Sequence, residues 1–274
     1  KIKTMKLRLL YILFIGLALG SCRMKEGCTD PAATNYDVEA EKDCQCCTYD
    51  NTPKRFEGKL NLTFNTKYFI APYTIGDTVV DPNNGNLIFN NLVFYLSNIS
   101  LIDQFNNEKR LRDVELFEFV NKNSVTVSFD SISSGTYTGI KFGIGVDSIY
   151  NNQPPSNYPF GHPLANTSYH WSSKNYVFAR IEGRADTASV NNYNLLLGYH
   201  TGTESMYRIV EFNNSTIQIN TNETSNFSLN INLEKIFYGA NDTINYKVDY
   251  QTHSAIGDPL APRVANNFME CFSE

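Results

Sequence analysis

The sequence lacks the short motifs that mark most enzyme classes. It contains no Gly-x-Ser-x-Gly nucleophile turn, no His-Glu-x-x-His zinc motif, no phosphate-binding loop and no dinucleotide fingerprint. It is also poor in basic residues, with 23 lysines and arginines against 28 aspartates and glutamates. An acidic chain is a poor match for the phosphates of nucleic acids. The sequence therefore predicts a protein that is not an enzyme and has no nucleic-acid partner.

Long apolar runs are also scarce, and the longest lies at residues 9–19, directly after a basic start. The run is too short to span a bilayer as an ordinary helix. It ends in Leu-Gly-Ser-Cys at residues 19–22, where small residues precede a cysteine that can be acylated. This pattern resembles the lipobox of bacterial lipoproteins. We therefore expect residues 1–21 to be a signal peptide and Cys22 to carry a lipid that anchors the chain to a membrane.

A lipid at Cys22 implies that the mature protein resides in the cell envelope. Arg23 follows the anchor and does not resemble the acidic signal for inner-membrane retention, so we expect the outer membrane. Cleavage removes four basic residues and no acidic one, which changes the net charge from −5 to about −9. The alternative is a plain signal peptide with a coincidental cysteine, which would leave no anchor.

Cysteine is sparse after the anchor, with Cys28, Cys44, Cys46, Cys47 and Cys271 remaining. In an oxidising compartment, five cysteines predict two disulfides and one spare thiol, but the sequence does not reveal the pairing. Cys46 and Cys47 are adjacent and thus poor partners for each other, because such a bridge is strained. Cys28 and Cys271 are natural disulfide partners for the Cys44-Gln-Cys46-Cys47 group. The alternative is a soft-metal site at that group.

Residues 54–274 show the period-two alternation of apolar and polar side chains that is typical of β-strands. Leu60, Leu62 and Phe64, for example, alternate with polar residues. Strand patterns also occur at 92–102, 125–129, 140–147, 177–181, 194–200, 207–212, 215–220 and 227–233. We predict an all-β domain here, an antiparallel β-sandwich with long loops, preceded by a lipidated, Cys-rich spacer at residues 22–53.

A helical pattern appears near the end of the chain, where Leu260, Val264 and Phe268 recur every four residues. This spacing predicts one short C-terminal helix, with Asp258 as its cap. Residues 147–175 are different, since they are rich in proline and aromatic residues and show no periodicity. A loop of this length is either functional or disordered. One hypothesis is therefore a metal-free surface module that recognises a carbohydrate or a protein through the aromatic loop 150–171.

The four histidines suggest a second hypothesis. His200 ends a predicted strand and His253 precedes the predicted helix, whereas His162 and His170 lie in the long loop. Two imidazoles and a weaker ligand form a normal copper site, because neutral nitrogen donors suit both copper oxidation states. Spacing alone does not establish this, since a single histidine is more often a hydrogen-bonded structural residue.

Five segments carry a resemblance to a known family: LVFYLSNI at 92–99, IKFGIGVD at 140–147, YVFARIEG at 176–183, the Tyr-His strand end at 199–200, and His253 followed by GDPLA at 257–261. In their order and spacing they resemble the MbnP-like copper-binding family. These methanobactin-associated proteins are periplasmic or lipid-anchored bacterial proteins, also found beside di-haem peroxidase-like proteins. The resemblance covers about residues 55–272 and implies a single bound copper ion, held for storage, delivery or scavenging.

The resemblance also implies the site residues. The family's two copper-binding histidines fall on His200 and His253. Its tryptophan, which a haem partner can oxidise to kynurenine, falls on Trp171. The family often has Trp-x-Trp where this chain has Tyr-His-Trp, which makes His170 a candidate third donor. Asp147, at the end of the Gly-Ile-Gly-Val strand, is a further candidate ligand or else an aspartate that starts a turn. A di-haem peroxidase-like protein is the implied partner, and the oxidisable Trp171 gives a third hypothesis, a redox partner of that enzyme.

Overall fold

The computed structural model describes residues 24–49, 56–82, 85–171, 175–188, 190–255 and 257–274. The predicted signal peptide and the predicted lipidation site at Cys22 lie outside the described residues. The chain divides into two compact units, Lys1–Lys54 and Arg55–Glu274. In the described ranges, no helix is long and apolar enough to cross a membrane.

Disulfides hold the first unit together. Its two short strands, β1 (Glu26–Gly27) and β2 (Lys42–Asp43), pair in parallel. One bridge joins Cys28 to Cys47 and a second joins Cys44 to Cys46. The expectation of two disulfides is confirmed. A segment this short cannot bury a sufficient core, so cross-links stabilise it instead.

Cys271 is the free thiol of the described residues. The interpretation of Cys271 as a disulfide partner is wrong, because it lies fully buried in the hydrophobic core and contacts the carbonyl oxygen of Asn267 at 3.4 Å. Burial raises the pKa of its thiol well above the usual value. The soft-metal alternative is also contradicted, since the sulfurs of Cys44, Cys46 and Cys47 are all in disulfides.

Alternating sequence patterns in the second unit do form strands. Their bounds are β3 (Glu57–Tyr68), β4 (Ala71–Pro72), β5 (Thr78–Asp81), β6 (Gly85–Asp103), β7 (Glu108–Phe119), β8 (Ser124–Ser133), β9 (Gly135–Ile144), β10 (His170–Trp171), β11 (Asn175–Asp186), β12 (Leu195–Gly202), β13 (Arg208–Phe212), β14 (Ile217–Ile219), β15 (Thr224–Asn232), β16 (Gln251–Thr252) and β17 (Phe272–Ser273). Each strand predicted above has a counterpart among them. The all-β prediction is confirmed.

These strands form two sheets. Over the described residues, the larger has ten strands in the order β13-β9-β6-β11-β12-β16, with β5 and β7 on β6, β10 on β11 and β14 on β9. The smaller has five, in the order β17-β15-β3-β4 with β8 on β3. The sheets face each other across an aromatic core, in which the rings of Phe64 and Phe117 have centroids 4.9 Å apart.

Not every strand pair is antiparallel, which corrects part of the sequence prediction. Strands β3 and β15 pair in parallel over nine residues, and β12 pairs in parallel with the two-residue strand β16. The sequence does not predict strand β7. Its sequence, EKRLRDVELFEF, has only three buried side chains, Val114, Phe117 and Phe119, and the charged residues between them obscure the alternation.

Two α-helices lie in the described residues, α1 (Ser148–Asn151) and α2 (Leu260–Glu270). The predicted C-terminal helix is therefore confirmed, and Leu260, Val264 and Phe268 are among its buried residues. Its N-cap is Pro259 rather than Asp258. The Asp258 carboxylate still accepts a hydrogen bond of 2.9 Å from the amide N–H of Leu260, so it performs the capping function from one residue upstream.

The long segment after β9 is more ordered than its sequence suggests. It consists of α1, three short 3-10 turns (Pro155–Asn157, Pro163–Ala165 and Thr167–Tyr169) and β10. Leu164 of this segment is fully buried beside Tyr95 and Tyr176, in a second apolar cluster. The Tyr176 hydroxyl donates to the Leu164 carbonyl oxygen at 2.8 Å. The segment therefore covers part of the larger sheet instead of forming a free loop.

Candidate functional site

His200 lies on β12, whose side chains alternate between the core and the opposite face of the sheet. Leu197 and Tyr199 point into the core, so His200 lies on the face turned away from it. The antiparallel register places Arg180 of β11 directly opposite His200. Glu182, two residues further along β11, shares that face. The side chain of His200 is 12% exposed and that of Glu182 is 27% exposed.

His253 reaches the same place because β16 runs parallel to β12. The register pairs Tyr199 with Thr252, so His200 and His253 are the next residues along the two chains. Two buried side chains hold the backbone there. Ser254 Oγ donates to the carbonyl oxygen of His200 at 2.9 Å and accepts from the amide N–H of Gly202 at 3.1 Å. The Thr252 hydroxyl donates to Asp258. As a result, the centroids of the two imidazole rings are 4.8 Å apart.

Trp171 completes an aromatic group around the two histidines. It lies on β10, which pairs with the start of β11. Its ring centroid is 5.6 Å from that of His200 and 6.1 Å from that of His253, and it stacks on His253 with an interplanar angle of 28°. Three residues that lie far apart in the sequence therefore form one cluster.

Glu182 occupies one edge of the His200 ring. Its Oε1 lies 2.9 Å from His200 Nε2, while His200 Nδ1 is buried and has no hydrogen-bond partner among the described residues. Burial lowers the pKa of His200, and the nearby His253 and Arg180 lower it further, against the opposing effect of Glu182. The imidazole is therefore neutral at pH 7 and can donate a nitrogen lone pair.

The carboxylate of Glu182 is itself held by neighbours. Arg180 Nε lies 2.8 Å from Oε1 and forms an ion pair with it, although the contact lacks hydrogen-bond geometry. Asn91 Nδ2 donates a hydrogen bond to Oε2 at 3.3 Å. Burial acts to raise the pKa of Glu182, but the contacts with Arg180 and His200 outweigh it, so the pKa lies below its usual value. Glu182 is therefore an anion that accepts a hydrogen bond from His200.

The other candidate ligands have contacts elsewhere. Asp147 is the N-cap of α1, where it accepts from the Ile149 amide at 3.0 Å and from Asn98 Nδ2 at 2.8 Å. This position agrees with the alternative interpretation of Asp147 as an aspartate that starts a turn. The His170 ring packs edge-on against Tyr176, with centroids 4.9 Å apart. His170 and Trp171 are adjacent on a strand, so their side chains point to opposite faces.

His162 also has a local role. Its Nδ1 accepts from the Leu164 amide at 3.1 Å, and its ring stacks on Tyr158 at 4.5 Å. Throughout the part of the chain that the structure describes, no group of three or more His, Cys, Asp or Glu side chains is arranged to hold a metal ion. The candidate donor set there is the histidine pair.

Comparison with known proteins decides the family of this chain. The MbnP family model matches residues 57–254, which is more than half of the sequence. The chain belongs to the MbnP family. Among solved structures, MbnP from Methylosinus trichosporium matches with a TM-score of 0.54 at 15% identity, over 79% of this chain and 98% of that chain. At this identity the structural match shows a shared fold. A comparison with curated proteins finds no match.

The MbnP match includes Trp171, His200 and His253, and the observed geometry fits a metal ion at the histidine pair. A buried nitrogen without a partner is costly, by about 1–3 kcal/mol for an unsatisfied polar group. His200 Nδ1 is such an atom. A nitrogen that ligates a metal is expected to be buried and without a hydrogen-bond partner when the ion is absent. Imidazole nitrogen is also a good donor for copper.

Sequence reasoning missed Glu182, Arg180 and Asn91 in this member of the MbnP family. The alternation at 177–181 already placed Arg180 on the polar face, and the same alternation extends to Glu182. Asn91 lies opposite Glu182 on β6, and Arg180 lies opposite His200 on β12. Only the pairing of the strands brings these residues together, and alternation in the sequence does not predict which strands become neighbours.

Replacing Ser254 should loosen the His253 segment of this MbnP-family fold. Ser254→Ala removes two buried hydrogen bonds and leaves the Gly202 amide without its partner, so we expect a loss of about 1–3 kcal/mol in the free energy of unfolding. Urea denaturation measures it. Ser205→Ala, at an exposed serine, is the matched control and should stay within about 0.5 kcal/mol of the parent. Equal stability of both variants would contradict the anchoring role of Ser254.

Proposed function

We propose that this protein binds one copper ion at His200 and His253 and serves in storage, delivery or scavenging of copper, without catalysis. The observation that carries the proposal is the pairing of the two rings at 4.8 Å, with a buried and unpartnered Nδ1 on His200. Membership of the MbnP family points to the same role. When bound, the ion would supply a Lewis-acidic and redox-active centre, and the chain's part would be to hold and shield it.

Copper is the metal that best suits this donor set. Two imidazole nitrogens without a thiolate or carboxylate ligand match copper better than hard cations such as magnesium or calcium, which take oxygen donors. The carboxylate of Glu182 is engaged by His200, Arg180 and Asn91 and is not free to bind an ion. Trp171 lies against both rings and would limit the access of water.

The proposal includes the cell envelope as the location, with a lipid at Cys22 and, by preference, the outer membrane. These points rest on the signal peptide and the lipobox in the sequence and stay predictions. A di-haem peroxidase-like partner also stays a prediction. The position of Trp171 beside both histidines supports it, because a tryptophan next to a copper site is suited to oxidation by a redox partner.

The alternative hypothesis, a metal-free module that uses the aromatic loop 150–171, expects the two histidines to lie apart. Their proximity favours the copper proposal. The alternative remains one outcome of the test below, in which the purified protein would bind no copper.

The test is copper binding by the full chain and two single variants. Titration with Cu(I) against a chromophoric chelator should give one equivalent for the parent protein. Loss of a residue that supports a metal ligand typically weakens metal affinity by about 10- to 100-fold. His200→Ala and His253→Ala each remove a direct ligand, so each should weaken copper binding by more than that. His162→Ala is the matched control, because His162 stacks on Tyr158 and makes a local contact.

No copper in the parent protein, or unchanged affinity in both histidine variants, would disprove the proposal. Binding that persists in a double variant but disappears with Cys271→Ser would assign the copper to the free thiol, which is equally incompatible with it.

A further inference from the structure

The contact between Glu182 and His200 determines which ring nitrogen carries the proton. Glu182 Oε1 and His200 Nε2 are 2.9 Å apart. An ionised carboxylate can only accept hydrogen bonds, so the imidazole must be the donor in this contact. The proton of His200 therefore sits on Nε2.

The second ring nitrogen, Nδ1, then carries a lone pair that accepts no hydrogen bond from the described residues. A neutral imidazole has one N–H, so protonation at Nε2 leaves Nδ1 as an acceptor. That atom is buried and has no hydrogen-bond partner among the described residues. No donor of the described residues satisfies it, although buried polar atoms nearly always have a partner.

Glu182 is well placed to hold this arrangement. It lies on the same sheet face as His200, with Asn91 opposite it on β6 and Arg180 two residues away on β11. Asn91 donates to Oε2 at 3.3 Å and the Arg180 guanidinium lies 2.8 Å from Oε1. Both contacts fix the carboxylate and favour its anionic form, and so preserve its role as acceptor.

We propose that Glu182 is a positioning residue that holds His200 as the Nε2-protonated tautomer, so that His200 presents Nδ1 to the metal. The inference rests on the proposed copper function and adds the identity of the donor atom. A carboxylate that accepts the far N–H of a ligand histidine fixes the orientation of the ring and increases the basicity of the donor nitrogen. Glu182 acts through His200 and does not itself contact the ion.

The test reads the tautomer directly in the metal-free protein by long-range ¹H–¹⁵N NMR of the histidine rings. We expect His200 to show a protonated Nε2 and an unprotonated Nδ1. In Glu182→Ala the ring should become a mixture of tautomers, and copper affinity should fall by about 10- to 100-fold. Glu182→Gln keeps an acceptor oxygen and should retain the Nε2–H tautomer, with a smaller loss of affinity.

Glu211→Ala is the control, since Glu211 is an exposed residue on β13 whose ion pair is with Lys141. It should leave both readouts unchanged. A protonated Nδ1 in the parent protein would overturn the inference, as would an unaltered tautomer in Glu182→Ala. Because the tautomer is read without metal, failure of the copper proposal would appear separately, as absent binding with the expected tautomer. If Glu182→Ala does not fold, the spectrum of the parent protein still decides.

Discussion

Addition of Cu(II) to the purified protein should quench most of its tryptophan fluorescence and saturate at one equivalent. The chain has a single tryptophan, so the whole signal comes from Trp171. Its ring lies 5.6 Å from His200 and 6.1 Å from His253. A paramagnetic ion held by these two rings would be close enough to deactivate the excited indole efficiently.

The measurement is a fluorescence titration with excitation at a wavelength that tyrosine does not absorb. His253→Ala removes one donor and should shift quenching to much higher copper concentrations, whereas His162→Ala should titrate like the parent. Quenching that is the same in His253→Ala and in the parent would mean that copper binds elsewhere. No saturation at one equivalent would argue against a defined site near Trp171.

The second large effect concerns the core that supports the site. Phe94→Ala should lower the free energy of unfolding by about 3–5 kcal/mol, because a buried phenylalanine would be replaced by a cavity. Phe94 is fully buried on the central strand β6. Its ring centroid lies 5.3 Å from that of Phe117, 5.4 Å from Phe268 of α2 and 5.8 Å from Phe272 of β17. The side chain thus joins elements from both sheets and the helix.

Urea unfolding followed by circular dichroism measures this change. Phe105→Ala is the matched control, since Phe105 is 74% exposed and its loss should alter stability by less than about 0.5 kcal/mol. A loss below about 1 kcal/mol for Phe94→Ala would show that the surrounding aromatic rings collapse into the space, contrary to the packing described.

The fold was largely predictable from the sequence because each sheet has one face on the core, and this burial imposes a period of two on the side chains. Leu60, Leu62 and Phe64 show the pattern clearly, and they lie on β3 in the structure. Strand β7 escaped prediction because the polar face of an edge strand carries many charges. The parallel pairing of β3 and β15 also escaped, since alternation reports which residues are buried and not which strand is the neighbour.

The candidate site was predictable in part. The resemblance to the MbnP-like family placed the site at His200, His253 and Trp171, and the structure brings these three side chains together. Asp147 and His170 were candidates by position along the chain, but the structure uses one as a helix cap and turns the other toward Tyr176. A strand end does not by itself indicate the direction of a side chain, which depends on the neighbouring strands.

The sequence by itself determined the all-β class, the positions of most strands and the C-terminal helix, because local burial and turn residues leave periodic patterns along the chain. It also determined the acidic charge, and it predicts a lipid anchor at Cys22. Only the tertiary structure decided that Cys271 is a core thiol and that residues 147–171 cover a sheet. It also decided that Glu182 faces His200. These outcomes depend on which strands become neighbours and in what register, and such long-range pairing leaves no periodic trace in a single sequence.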